Sequence, residues 1–293
     1  MRISHRRSAA MRTLSYIARL STRSSLANTA RPKRKRPRSA ISPNRFPTSN
    51  AALSLRSGKP ATVTWLNFLR AATDFSASSH VAFRHALRLA FGLGTGLTIM
   101  HVGDGRTSRE DWSRFPHIRE TLARWNLVDP GISQAELEPQ TGLRIAKIEA
   151  TGRNPVEVMS RYLDEHDVSM VVMATHGRSG MAAMQYPSVA QALARRIHRP
   201  FLFVREGVSG FVMADGSLRV EHVLLPVAGE PDPQLAIDHV TWLERELAAS
   251  VGVVQALHVG DGPLGFPLAP PDLSNGELKS LSRPGRPEEV IPA

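Results

Sequence analysis

A glycine-containing loop after an apolar segment is the first part of the sequence that can do chemistry. The loop reads Ala174-Thr-His-Gly-Arg-Ser-Gly180 and precedes a helical segment that opens near Ser188. Backbone N–H groups of the stretch from Gly177 to Gly180, together with those at the start of a helix, are donors that hold phosphate oxygens. The residue types and their spacing therefore predict a phosphate-binding loop.

The sequence offers little for covalent or metal chemistry. It contains no cysteine, which excludes thiolate nucleophiles, disulfides and cysteine-ligated metal centres. His176 has no Ser or Cys nucleophile and carboxylate arranged with it, and we interpret it as a loop residue. His85, His101 and His117 share no metal-ligand spacing, which is typical of scattered structural histidines. The composition favours binding over catalysis.

Strand-like and helical segments alternate from about residue 67, and this alternation positions the loop. It predicts an open five-stranded parallel sheet with helices on both faces. Asp74 ends the first predicted strand and Val102 the second, so both should lie at the carboxyl edge, where open parallel sheets bind ligands. The expected strands are 68–73, 97–102, 143–148, 168–174 and 201–204, and the expected helices are 79–91, 117–125, one capped by Asn154, and 188–197.

The pattern restarts after a segment rich in small residues. A strand over 220–227, a helix over 233–249 and a strand over 253–259 repeat the opening of the first unit, and the segment from His258 to Gly262 is identical to that from His101 to Gly105. The sequence after Gly285 is similar to the sequence after Gly152. We therefore expect a first domain over 67–206, a linker over 207–218 and a partial second copy over 219–293.

The positive charge of the chain belongs to its first segment. The 293 residues carry a net charge of +11, but 16 of the 37 basic residues and none of the 26 acidic ones precede Asp74. The remaining 21 basic and 26 acidic residues give the rest a net charge of −5. Residues 1–66 are expected to be a basic, disordered tail. Three alternatives for this tail stay open: a targeting signal, a segment that contacts nucleic acid nonspecifically, or an over-extended start of translation.

Together these motifs resemble the universal stress protein family. The resemblance covers roughly residues 67–205, and its matching stretches include Ala72 to Ser76, Gly152 to Val158 and Val171 to Gly180. It implies an adenine nucleotide alpha hydrolase-like fold, a homodimer, a cytoplasmic location without membrane attachment, and a role in the stress response. Some family members bind ATP, with Mg²⁺ accompanying it, and others do not.

The resemblance also assigns candidate nucleotide-binding residues. ATP binders place an Asp of the first strand at the adenine and hold ribose and phosphates with a loop of form G-x2-G-x9-G-[ST]. Here Ala174 and Pro187 replace two of its glycines, which predicts weakened binding, because the cradle loses one donor and gains one methyl group. The candidates are Asp74, Val102, Thr175, Gly177, Gly180, Ser188 and Val189.

Alternative interpretations accompany these assignments. Asp74 can simply stabilise the turn that follows it. The chain can be a structural or interaction module that kept the fold and lost the ligand, or a nucleotide-hydrolysing enzyme, although Asp74-Phe-Ser-Ala-Ser78 lacks the glycines of a phosphate loop. In the second copy Ala228 stands where Asp74 stands in the first, so we expect no nucleotide binding there.

Overall fold

The computed structural model describes residues 68–103, 109–175, 189–230 and 232–291. Within these ranges the strands are β1 (Phe68–Thr73), β2 (Gly96–Gly103), β3 (Ile145–Thr151), β4 (Met170–Thr175), β5 (Phe201–Arg205), β6 (Val220–Val227), β7 (Val251–Val259) and β8 (Glu277–Arg283). The helices are α1 (Ala77–Gly92), α2 (Arg109–Arg114), α3 (Ile118–Arg124), α4 (Gln134–Thr141), α5 (Pro155–Glu165), α6 (Val189–Arg196), α7 (Gln234–Leu247) and α8 (Pro287–Val290). The sequence did not predict α2, α4 or β8.

The first five strands form one parallel sheet in the order β3-β2-β1-β4-β5. This confirms the predicted fold class. Strand β1 lies at the centre, with Thr73 paired to His101 of β2 and Leu69 paired to Met170 of β4. The strand order reverses between β1 and β4, and such a switch point opens a crevice at the carboxyl ends of the strands.

Apolar layers cover both faces of this sheet. On β1, Leu69 and Ala71 face the layer that includes α1, while Ala72 faces the layer that includes α5 and α6. The opposite placement of neighbours follows from the two-residue period of a strand. On α1, Phe83 and Leu87 are buried, and burial of such a side chain contributes about 1.5–3 kcal/mol.

Local capping explains where several helices begin. The Asn154 side chain accepts from the backbone N–H groups of Val156 and Glu157, and α5 starts at Pro155. This confirms the predicted entry of the helix. Helix α1 begins after Ser76, whose hydroxyl accepts from the N–H of Ser79. This start precedes the expected one by two residues.

The last three strands form a second parallel sheet in the order β6-β7-β8. Helix α7 packs on one of its faces, where Val223, Leu225, Ile237 and Val240 are buried. Three residues, including Gly285, separate β8 from helix α8, which spans four residues. None of the helices in the described ranges has the length and apolar character needed to cross a membrane.

The segment between the two sheets packs into the core of the first unit. We name residues 208–219 the strap. Val212 is fully buried and forms an antiparallel bridge with Leu218. Nε2 of His85 accepts from the backbone N–H groups of Phe211 at 3.0 Å and of Val212 at 3.2 Å. The segment expected to be a linker of small residues is therefore fixed in place.

The second half of the strap contacts α1 and the end of α3. The indole N–H of Trp125 donates to the carbonyl of Ala214 at 2.9 Å, and Arg88 Nε donates to the carbonyl of Gly216 at 3.2 Å. Gly216 has a φ of +82° and lies directly against the Trp125 ring. Only a residue without a side chain fits this contact.

Candidate functional site

The turn between β1 and α1 is fixed by hydrogen bonds from its own side chains. Asp74 follows β1, and its Oδ1 accepts from the backbone N–H of Ser76 at 3.0 Å and from the Ser76 hydroxyl at 2.5 Å. The buried Thr73 hydroxyl accepts from the N–H of Phe75 at 3.0 Å. Asp74 thus stabilises the turn, as the structural interpretation of this residue predicted. Its carboxylate is exposed and held in one orientation.

Phe75 anchors this turn in an aromatic cluster. Its φ of +61° lies in the left-handed region, which is costly for a bulky residue. Its ring lies 4.6 Å from the His101 ring and makes edge contacts with Trp112 at 5.0 Å and Phe115 at 6.0 Å, all measured between centroids. These contacts offset the backbone strain and thereby fix the neighbouring Asp74.

The end of β2 contributes residues to both faces of the sheet. The Nδ1–H of His101 donates to the backbone carbonyl of Thr73 at 2.8 Å and so ties the ends of β1 and β2 together. Val102 packs on the opposite face, in the apolar cluster that includes α5 and α6. The predicted site residue Val102 therefore lies near the carboxyl end of β2 with its side chain half-buried.

The end of β4 contributes Thr175, the last residue of that strand. The methyl group of Ala174 packs against the core on the side of α1. Val189 is the first residue of α6, and 38% of its surface is exposed. Four residues of the predicted cradle lie outside the described residues: Gly177, Gly180, Pro187 and Ser188.

Burial and a nearby carboxylate act in opposite directions on the first turn of α1. Burial lowers the pKa of His80 below its usual value, and the negative charge of Asp74 opposes this effect only in part. The imidazole of His80 is therefore neutral at pH 7. The edge beside β1 presents the carboxylate of Asp74 next to an uncharged ring.

The structure thus brings three of the predicted residues to one edge, at the ends of the adjacent strands β2, β1 and β4: Asp74, Val102 and Thr175. It adds Phe75 and His101, which sequence reasoning did not assign to the site. The sequence does contain a pattern that could have indicated His101, because the five-residue segment that begins with His101 recurs at His258. Exposed acceptors and backbone groups at a switch point can bind a planar, hydrogen-bonding ligand.

The same contact occurs at the edge of the second sheet. Nδ1–H of His258 donates to the carbonyl of Val227 at 3.3 Å, and the ladder pairs these two residues as it pairs His101 with Thr73. Ala228 therefore occupies the position of Asp74. The ring beside His258 is Phe266, at 6.0 Å between centroids, and it comes from the loop after β7.

Metal and catalytic groups are sparse around the site. Across the described ranges, no three His, Asp or Glu side chains come together as candidate metal ligands. The carboxylate of Asp74 accepts from the hydroxyl of Ser76. The arrangement is suited to holding a ligand by hydrogen bonds.

Comparison with protein families gives a match to this unit. Residues 70–205 match the model of the universal stress protein family. This unit belongs to that family. The matched range begins in β1 and ends with β5, so it coincides with the five-stranded sheet and its helices. A comparison with curated proteins gives no match.

Solved structures of universal stress proteins are similar to the chain. One, solved in complex with cAMP, is 21% identical, with 48% of this chain and 97% of that chain covered and a TM-score of 0.35. One from Archaeoglobus fulgidus DSM 4304 is 16% identical, with 77% and 79% covered and a TM-score of 0.47. One from Burkholderia pseudomallei is 23% identical, with 47% and 96% covered and a TM-score of 0.29. The fold assignment rests on the strand order and the family match.

Proposed function

We propose that the chain is a cytoplasmic stress-response protein that binds an adenine nucleotide at the carboxyl edge of its five-stranded sheet. One observation carries the proposal: Asp74, Val102 and Thr175 lie at the carboxyl ends of three adjacent strands, on both sides of the switch point between β1 and β4. Ligands of open parallel sheets bind at such a crevice. Membership of the universal stress protein family supports the same ligand class.

The candidate residues form two groups, one that contacts the adenine and one that contacts the ribose and phosphates. Asp74 accepts from the adenine amino group, because a carboxylate that already accepts two hydrogen bonds at Oδ1 has further lone pairs. Val102 contacts the base. The remaining candidates hold ribose and phosphates, and Mg²⁺ enters with the phosphates. They are Thr175, Gly177, Gly180, Ser188 and Val189.

Calorimetric titration of the full chain with ATP tests this proposal. Asp74→Ala should weaken ATP binding roughly tenfold, since a hydrogen bond to a charged group is lost. Asp215→Ala is the matched control. Oδ1 of Asp215 accepts from the N–H of Ser217 at 3.0 Å and from its hydroxyl at 2.6 Å, the same turn geometry outside the site. Equal affinities of both variants and the parent would contradict the role of Asp74.

A structural or interaction module without a ligand is the second candidate. The hydrogen bonds of Asp74 to Ser76 favour it, because they give this residue a role in the turn that needs no nucleotide. Absence of any calorimetric signal with ATP, ADP and AMP would select this candidate. Release of inorganic phosphate from ATP should be weak or absent, and rapid release would instead point to an enzyme.

We also propose that residues 219–293 are a second copy of the opening of residues 67–206, joined through the linker over 207–218. The repeated contact of His258 with Val227, at the same register as His101 with Thr73, supports the copy. Nucleotide binding is confined to the first unit, because Ala228 offers no acceptor in place of Asp74. A single binding site per chain in the ATP titration is the expected result, and two equivalent sites would contradict it.

Self-association through β5 completes the proposal. Strand β5 is the outermost strand of the sheet beside β4 and presents Phe203, which stacks on Phe201 at 5.4 Å between ring centroids. An apolar edge strand favours pairing with a second copy. We expect a dimer by light scattering at tens of micromolar, and Phe203→Glu should convert it to a monomer. A monomeric parent protein would contradict the proposal.

A further inference from the structure

The loop between β7 and β8 contains a proline-rich segment that the nucleotide site does not use. Prolines stand at positions 267, 270 and 271, with only Leu268 and Ala269 between them. A proline fixes its own φ near −65° and keeps the residue before it extended. These two effects restrict every residue over 266–271 except Leu268. Residues 267–273 form neither helix nor strand, so the segment is suited to the polyproline II conformation.

Burial along this segment follows the three-residue period of a polyproline II helix. Leu268 and Pro271, three positions apart, are half-buried, whereas Pro267, Ala269 and Pro270 are exposed. Leu268 packs against the apolar core formed by β6, β7 and α7. One face of the segment therefore lies on the second sheet, and the two faces that carry Ala269 and the pair Pro267 and Pro270 are open to solvent.

Side chains of the second unit hold this segment in place. Gln234, the first residue of α7, accepts from the backbone N–H of Ala269 at 2.9 Å and donates to its carbonyl at 3.4 Å. After the segment, the carboxylate of Glu244 accepts from the N–H of Ser274 at 3.0 Å. Before it, the ring of Phe266 packs on the same apolar core. A ligand segment that is already fixed loses little conformational entropy on binding.

The charge of the loop is negative throughout. Residues 260–276 contain Asp261 and Asp272 and no lysine or arginine. Both carboxylates are exposed, and Asp272 directly follows the last proline. Complementary charge speeds encounter and selects between partners. A protein that binds this loop is therefore expected to carry basic side chains beside its binding groove.

We propose that residues 267–271 are a docking site for a protein domain with an aromatic-lined groove and a basic rim, of the kind that binds polyproline II segments. Such grooves bind Pro-x-x-Pro sequences by packing the proline rings on aromatic side chains. Pro267 and Pro270 have this spacing, and both rings are exposed. The second unit thus serves as a binding surface for another protein, whether or not the first unit binds a nucleotide.

Calorimetric titration of the full chain with three purified domains, an SH3, a WW and an EVH1 domain, tests the docking site. At least one domain should bind. Pro267→Ala and Pro270→Ala should each weaken that binding about tenfold, because each removes a ring contact and a fixed φ. Pro263→Ala is the matched control, since Pro263 is an exposed proline of the same loop outside the Pro-x-x-Pro pair. Binding by none of the three domains, or equal affinities of Pro270→Ala and Pro263→Ala, would overturn the proposal.

Two further variants keep all the prolines and test the other parts of the proposal. Asp272→Asn should weaken binding about threefold and reduce its dependence on sodium chloride, because a carboxylate beside the basic rim is lost. Gln234→Ala should also weaken binding about threefold, since Ala269 loses the two hydrogen bonds that fix it. Each variant should unfold at nearly the temperature of the parent protein, which separates a loss of binding from a loss of folding. Parent affinity in both variants would overturn the proposal of a fixed segment read by a basic groove.

Discussion

Nε2 of His85 accepts a hydrogen bond from the backbone N–H of Phe211 at 3.0 Å, across 126 residues of chain. His85 is fully buried, and its Nδ1–H donates to the carbonyl of Val81 at 2.8 Å, which defines the neutral tautomer with a free acceptor at Nε2. A second N–H, that of Val212, shares this acceptor. One imidazole thus joins α1 to the strap.

Removal of this imidazole should destabilise the first unit. His85→Ala leaves two buried N–H groups unpaired and a cavity in the core, and we expect a loss of about 3–5 kcal/mol in the free energy of unfolding, measured with urea. His166→Ala is the control, because that ring is exposed and its Nδ1–H donates to the carbonyl of Tyr162, four residues earlier in the chain. Similar losses in both variants would contradict the role of His85.

The same histidine should make stability depend on pH. Burial lowers the pKa of His85 to about 4, from a usual value near 6.5. The unfolded chain therefore binds the proton first as the pH falls, so stability is full above about pH 6.5 and decreases toward pH 4. The decrease should approach about 3 kcal/mol.

Urea unfolding at several pH values between 7.5 and 4.5 measures this effect. His85→Gln retains an acceptor but does not titrate, so its free energy of unfolding should vary less over this range than that of the parent. Arg84 contributes in the same direction as burial, because its charge opposes protonation of the neighbouring ring. A parent and a glutamine variant with parallel pH profiles would show that His85 is not the titrating group.

Much of this architecture was accessible from the sequence, and the inaccessible parts have physical reasons. Apolar runs and the Asn154 cap are local signals, and they located the five strands and the entry of α5. Helix α2, with the sequence Arg109 to Arg114, is short and polar, so periodicity carries no signal there. Strand β8 has mostly exposed residues, which hides the alternation that identifies a half-buried strand.

The candidate site was only partly predictable for a different reason. Asp74 and Val102 follow from strand ends, which are sequence properties. The contacts of His85 with the strap, and of Phe75 with His101, depend on which distant segments meet, and no local pattern specifies them. The small residues of the strap predicted a linker, and the glycine at position 216 permits close packing against Trp125.

The contact between Gly216 and Trp125 should be sensitive to a single methyl group. A Cβ at position 216 would lie 2.3 Å from Cγ of Trp125 and would also require a φ of +82°. Gly207→Ala is the matched control, because Gly207 has a φ of +76° with nothing within 4 Å of the added carbon. We expect Gly207→Ala to cost about 1 kcal/mol in the free energy of unfolding and Gly216→Ala clearly more.

Near-ultraviolet circular dichroism gives an independent measure for this pair. The Trp125 signal should change in Gly216→Ala and stay unchanged in Gly207→Ala, since only the former displaces the indole. Equal unfolding free energies and equal spectra for the two variants would mean that the backbone conformation alone sets the cost.

The two departures from the family loop should have different consequences for ATP binding. The methyl group of Ala174 packs against the core beside α1, so Ala174→Gly removes apolar contact and stiffness from β4 without opening the ligand edge. We expect it to lower the free energy of unfolding by about 1 kcal/mol and to leave ATP affinity unchanged. Pro187 has no backbone N–H, and Pro187→Gly restores a donor to the predicted cradle. It should tighten ATP binding about tenfold. Calorimetric titration of both variants with ATP measures the two effects. A gain in ATP affinity from Ala174→Gly as large as that from Pro187→Gly would mean that the Ala174 methyl group obstructs the ligand edge near β4. If neither variant binds ATP more tightly than the parent, the predicted phosphate cradle is wrong.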